Sequence, residues 1–176
     1  MADLEDASVR LQTPTEDDEA VLYRLAAELD TWEERTPRAP APLTLAEFRR
    51  NRSDQADGRS MEFMIIAGGV VAGRAAIFDE DPLVRQAEVG LGLVAEARGQ
   101  GYGTEALRQL VEFAFVRRNL RRVHLAVVAS NAGAIASYRK VGFVEEGRRR
   151  EHCWVRGHYE DEVLMGLLRS QWAPAR

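Results

Sequence analysis

Arg98-Gly99-Gln100-Gly101-Tyr102-Gly103-Thr104 lies between an apolar run that ends at Val94 and a helix-spaced apolar set, Leu107, Leu110, Val111 and Ala114. A glycine-rich turn leading from a strand into a helix points several backbone N–H groups at one place, where the helix dipole is positive, and so forms an anion cradle. Glycine suits positions 101 and 103 because a side chain there would hold a pyrophosphate away from the backbone. The plainer alternative is a flexible loop capped by glycine. Gly101-Tyr102-Gly103-Thr104-Glu105-Ala106 also satisfies the permissive dinucleotide fingerprint. That fingerprint requires a carboxylate at the end of the next strand, and here the chain reads Val127-Val128-Ala129-Ser130-Asn131. The Lys-Ser/Thr ending of a nucleotide-hydrolase loop is absent as well.

Upstream of the turn, residues 61–94 alternate apolar runs with two turn chemistries, Ala67-Gly68-Gly69 and Asp79-Glu80-Asp81-Pro82, which predicts three consecutive antiparallel strands. A dinucleotide fold would instead open with the strand before its turn. Earlier still, Val9-Arg10-Leu11 reads as a short strand, and Thr15 with Asp18 as a capping pair that opens a helix with Val21, Leu25 and Leu29 inward. Pro37, Pro40 and Pro42 mark a loop, and Thr44 with Glu47 forms a second capping box for a short helix. Downstream, Val123 to Val128 reads as a buried strand, and a helix follows from about Asn131 to Lys140, closed by Gly142. Two strands, Phe143 to Trp154 and Tyr159 to Leu168, join across Arg156-Gly157. The class is α/β, in an α+β arrangement on one sheet.

The chain has 176 residues, 45% of them hydrophobic, which suits one domain over 1–176. Its acidic start lacks a signal sequence and no run is apolar for long enough to span a bilayer, so a cytoplasmic, non-membrane protein is expected. Lys and Arg number 24 against 28 Asp and Glu, a net charge of -4, which argues against a nucleic-acid surface and favours cationic ligands. Cys153 is the single cysteine and has no catalytic histidine motif beside it, so an inert thiol is expected. His124, His152 and His158 lack a metal-ligand spacing, and no metal is expected.

The turn has the form Gln/Arg-x-x-Gly-x-Gly/Ala and resembles the coenzyme A pyrophosphate loop of the GNAT superfamily of N-acetyltransferases. Asn131-Ala132-Gly133-Ala134-Ile135-Ala136-Ser137-Tyr138-Arg139-Lys140-Val141-Gly142-Phe143 is similar to a second segment of that superfamily, Asn-x-x-Ala-x-x-x-Tyr-x-Lys-x-Gly-Phe. The ending, with Glu146-Gly147-Arg148, Arg156-Gly157-His158-Tyr159 and Leu164-Met165, is similar to the branch of ribosomal-protein N-terminal (Rim-type) and spermidine acetyltransferases. The resemblance implies a mostly antiparallel sheet of about seven strands flanked by helices and splayed between strands 4 and 5. It also implies acetyl-CoA as cosubstrate, with the pantetheine arm lying along Leu91, Gly92 and Leu93.

On that resemblance, residues 98–104 (Arg98, Gly99, Gln100, Gly101, Tyr102, Gly103 and Thr104) would bind the cofactor, together with Asn131, which is also an ordinary helix N-cap. Tyr138 would protonate the departing thiolate, or else serve only as a core aromatic beside Ile135. Glu88 would act as base for the amine, through water in the family's manner, or else be a plain strand glutamate. A backbone N–H near Leu93 would meet the oxyanion. For the acceptor, the resemblance points first to a peptide or protein N-terminus, then to a polyamine or an aminoglycoside-type amine. Trp32-Glu33-Glu34 is similar to the acidic pair that some spermidine acetyltransferases use, which makes Glu33 and Glu34 candidate acceptor ligands. A non-catalytic acetyl-CoA-binding module stays open, as does a homodimer through a strand edge or the last hairpin.

Overall fold

The computed structural model describes residues 8–28, 43–54 and 59–173. Seven strands form one sheet in the order β1-β2-β3-β4-β5-β7-β6. They are β1 (Val9–Gln12), β2 (Met61–Ala67), β3 (Val70–Asp81), β4 (Gln86–Leu93), β5 (Arg122–Val128), β6 (Val144–Val155) and β7 (His158–Leu168). Every neighbouring pair is antiparallel except β4 with β5. Four α-helices accompany the sheet among the described residues: α1 (Glu19–Ala27), α2 (Leu45–Asp54), α3 (Tyr102–Glu112) and α4 (Ala132–Val141). None of them is long and apolar enough to cross a membrane.

The caps are where their chemistry puts them. Thr15 N–H donates to Asp18 Oδ2 at 2.7 Å, and a 3-10 turn, Glu16–Asp18, leads into α1. The Thr44 N–H donates to Glu47 Oε2 at 2.9 Å while the Glu47 N–H donates to Thr44 Oγ1 at 3.2 Å, a reciprocal box at the head of α2. Asn131 Oδ1 accepts from Ala134 N–H at 3.1 Å, and Gly142, at φ 109°, closes α4.

Two details depart from the sequence reading. The inward residues of α1 are Leu22 and Leu25, with Val21 half-buried, because the 3-10 turn shifts the phase of the helix; Leu29 lies outside the described residues. The Asp79-Glu80-Asp81 stretch is strand, not turn: β3 runs through Asp81 by way of a bulge after Phe78, with Asp79 at φ 46°, and the reversal falls on 82–85.

The main core lies between one sheet face and α3. Leu107, Leu110, Val111 and Ala114 are fully buried against strand residues that include Ile77, Val89, Val123, Val163 and Met165. Each such leucine contributes about 1.5–3 kcal/mol relative to exposure. The chain leaves α3 through a π-turn, Phe113–Arg117, where Arg118 N–H reaches back to the Phe113 carbonyl at 3.0 Å. On the opposite face α1 and α2 cover only part of the sheet, where Leu22, Phe48, Met64 and Ile66 form a smaller cluster.

Candidate active site

β4 and β5 share only three register pairs, Gln86 with Arg122, Ala87 with Val123 and Glu88 with His124. Beyond Glu88 the strands part. β4 continues beside β3, with Leu91, Gly92 and Leu93 opposite Ala75, Arg74 and Gly73, while β5 continues beside β7. The backbone of 89–93 therefore has a strand neighbour on one side alone. The Leu91 and Leu93 side chains turn toward α3, their Cδ1 atoms 3.5 and 3.4 Å from where a Cβ on Gly103 would stand.

At the head of α3 the turn leaves five consecutive backbone donors open. The N–H groups of Gly99, Gln100, Gly101, Tyr102 and Gly103 reach no acceptor among the described residues, and the Gly101 carbonyl already accepts from Thr104 and Glu105. Gly99 and Gly101 sit at φ 76° and 83°, and nothing stands within 4 Å of a Cβ added to either. Side chains hold the shape: Arg98 donates to the Leu93 carbonyl through Nε at 3.2 Å and Nη2 at 3.1 Å, and its Nη2 also meets Glu28 Oε2 at 3.1 Å. Gln100 Nε2 donates to the Glu96 carbonyl at 2.8 Å, and the Thr104 and Ser137 hydroxyls meet at 3.1 Å, tying α3 to α4. So the Arg98 and Gln100 side chains brace the turn, and its free polar surface is backbone.

Glu88 and Tyr138 approach the parting from opposite faces. Tyr138, on α4, is buried in the main core with its ring 6.0 Å from that of Phe143. Burial, and then the Glu88 charge, push its hydroxyl up to about 12. Glu88 alternates with the buried Ala87 and Val89, so it stands on the α1–α2 face, half-buried. Burial raises its carboxyl above the usual range, and the charges of Asp79 and Glu162 add to the rise against the opposing effect of Arg149. His124, its register partner, is held below the ordinary imidazole range by burial and by Arg122.

Glu162 was not singled out in the sequence, yet it is the buried charged residue of the described chain, 5% exposed. On β7, opposite Val128, it accepts from Arg149 Nη1 at 2.7 Å, with His152 Nε2 at 3.7 Å. Its signal in the sequence is parity alone: in Glu160-Asp161-Glu162 the even positions share a face with Leu164 and Gly166. The arginine that makes burial tolerable lies 13 residues upstream. Phe78, paired with Glu88, also escaped notice; its ring leans over Gly90, with Cε2 3.1 Å from a Cβ position there.

Glu33 and Glu34 lie outside the described residues. The three histidines fall on β5, β6 and β7, and no group of His, Cys, Asp or Glu suited to a metal gathers among the described residues. Cys153 is buried and burial raises its thiol, the direction of an unreactive sulfur.

Residues 8–144 match the family described as the acetyltransferase (GNAT) domain. The protein named "Putative ribosomal N-acetyltransferase YdaF" of Bacillus subtilis is 31% identical over 121 residues, 69% of this chain and 66% of that protein. The spermidine N(1)-acetyltransferase of Vibrio cholerae is 31% identical over 88 residues, 50% of this chain and 51% of its own length. The matched segments thus span about half to two thirds of these relatives. The crystal structure of spermidine N-acetyltransferase from Vibrio cholerae in complex with CoA and spermine superposes with a TM-score of 0.85 at 22% identity, covering 93% of this chain and 96% of that one, which establishes a common fold. With its strand order, its parted β4 and β5 and a match over most of its length, this chain belongs to the GNAT acetyltransferase family.

Proposed function

We propose that this protein transfers an acetyl group from acetyl-CoA to a primary amine, a peptide or protein N-terminus, by direct attack with both substrates bound. The observation that carries the reading is the parting of β4 and β5 after Glu88, with a carboxylate on one face and the hydroxyl of a buried tyrosine on the other. The residues present fit the cosubstrate. Five free N–H groups with open space above Gly99 and Gly101 suit a pyrophosphate, and the unpaired side of Leu91, Gly92 and Leu93 offers backbone donors and acceptors to a pantetheine arm. Asn131, which caps α4 near the end of β5, is the side chain assigned to that arm in this reading.

Bound acetyl-CoA supplies the electrophilic thioester carbonyl and a thiolate leaving group. An alkyl ammonium has a pKa of about 10, so the attacking nitrogen must first lose a proton. Glu88 accepts that proton through a bridging water, and its raised pKa improves it as a base near neutrality. A backbone N–H on the parted strand near Leu93 meets the oxyanion. Tyr138, kept protonated by burial, donates its hydroxyl proton toward the leaving sulfur.

The test is release of free thiol from acetyl-CoA against a panel of peptide N-termini, polyamines and aminoglycosides. Tyr138→Phe should lower kcat on the order of a hundredfold while acetyl-CoA affinity, measured by calorimetry, changes less than about twofold. An undiminished rate in that variant would remove Tyr138 from the mechanism. Tight acetyl-CoA binding with no turnover on any amine would favour a binding module. A polyamine acceptor is the second reading, supported by the spermidine acetyltransferases among the relatives.

A further inference from the structure

A cleft of about 290 Å³ opens between α1, α2 and the sheet face that carries Glu88. Its walls include Ala26, Leu43, Phe48, Met61, Ala76 and Phe78, and its polar end holds Arg52, Arg74 and Glu62. Phe78 links it to the parting, for its ring leans over Gly90 and its backbone pairs with Glu88. The cleft thus leads away from the place where the amine must attack.

The charge at its end is unbalanced. Glu62 accepts from Arg74 Nη1 at 2.8 Å and pairs with Arg52, so one carboxylate faces two guanidinium groups, one on β3 and one on α2. Asn51 and Ser60 add neutral polar groups, and no second carboxylate lines the cleft among the described residues. A polyamine lying there would bring a further cation against this excess; a carboxylate would relieve it. Spacing narrows the choice. Glu62 pairs with Ala76, two positions from Phe78, and lies two strands from Glu88. The lattice of the sheet puts about 12 Å between the Glu62 and Glu88 Cα atoms, the reach of three to four extended residues.

Resting on the acetyl-transfer reading above, we infer that the acceptor is a peptide N-terminus with an acidic side chain at its third or fourth residue, bound by Arg52 and Arg74, and neither a polyamine nor a free amino acid.

The experiment compares kcat/KM for two amidated tetrapeptides differing only at the third residue, glutamate or lysine, with spermidine and free serine alongside. The glutamate peptide should lead the lysine peptide by up to about fivefold, the ratio expected of partly exposed ion pairs. Arg52→Gln with Arg74→Gln should erase the lead, and Glu62→Gln, which frees both guanidinium groups, should widen it; opposite signs separate charge recognition from damage to the fold. Spermidine or the lysine peptide in first place, or serine equal to the glutamate peptide, overturns the inference while leaving acetyl transfer standing. If no amine turns over, acetyl transfer fails, and equilibrium binding of the two peptides decides the cleft. A preference that the arginine variants abolish upholds it, and equal affinities overturn it.

Discussion

Glu88 sits where a carboxylate is disfavoured: half-buried, with Asp79 and Glu162 raising its pKa. The folded state therefore holds this proton more tightly than the unfolded chain. The stability it contributes is complete below the ordinary carboxylate pKa and is lost as pH rises through the raised folded value. At pH 7 the ionised group is a cost to the fold, so Glu88→Gln should melt at a higher temperature than the parent protein at pH 7, with the gap closing by pH 4. Acetyl-transfer rate should fall in the same variant at every pH where the parent is active. Calorimetry and thiol release on one preparation check both. At this scale Glu88 and Tyr138 could be nominated from the residues around them, because a candidate tied to local spacing is written locally. Glu162 was hidden because what makes it unusual, burial beside Arg149, depends on which strands become neighbours.

The open polar groups of the turn before α3 belong to its backbone, and that limits how it can be altered. Gly101 caps the helix at φ 83°, a conformation that costs a residue with a Cβ about 1 kcal/mol. Gly101→Ala should lower the unfolding free energy by about that amount and weaken acetyl-CoA more than tenfold, since turning the peptide away removes adjacent donors together. Denaturant titration and calorimetry separate the two effects. Elements with a chemical signature at their ends were legible in advance: the Thr44–Glu47 box, the Asn131 cap and Gly142 stand where the residues place them. The end of β3 was not, since an Asp-Glu-Asp-Pro run has turn composition and only the pairing of Asp81 with Gln86 across a bulge makes it strand. The motif that marks Arg98 likewise does not spell out its contact with the Leu93 carbonyl, which its guanidinium braces from within the turn.

Across the whole molecule the sheet consists of two parts, β1 to β4 and β5 to β7, that meet over three residue pairs. A long-range contact stiffens the second part: Glu146 on β6 crosses β7 above Gly166 to grip Arg122 on β5, with both oxygens 2.5 Å from its Nη atoms. A Cβ at Gly166 would lie 2.5 Å from Glu146 Oε1. Gly166→Ala should thus push the Glu146 carboxylate off Arg122 and cost the fold about 1 kcal/mol or less, the share of a partly exposed ion pair, and in a Glu146→Ala background the same substitution should cost almost nothing, as a double-mutant cycle will show. Periodicity revealed the seven strands but not that β7 lies between β5 and β6, because two strands joined by a tight turn pair with each other whichever of them faces the rest of the sheet. That order has a consequence for how the protein comes into being. The first four strands pair with neighbours already synthesised, so they can assemble as they leave the ribosome. β5 emerges with only the three-pair contact to β4 and waits for β7, the last strand in chain order, to supply its other side. A ribosome stalled before residue 158 would display the four paired strands and the glycine turn with β5 still lacking its β7 neighbour: the second wall of the parting is completed only by the last of the seven strands.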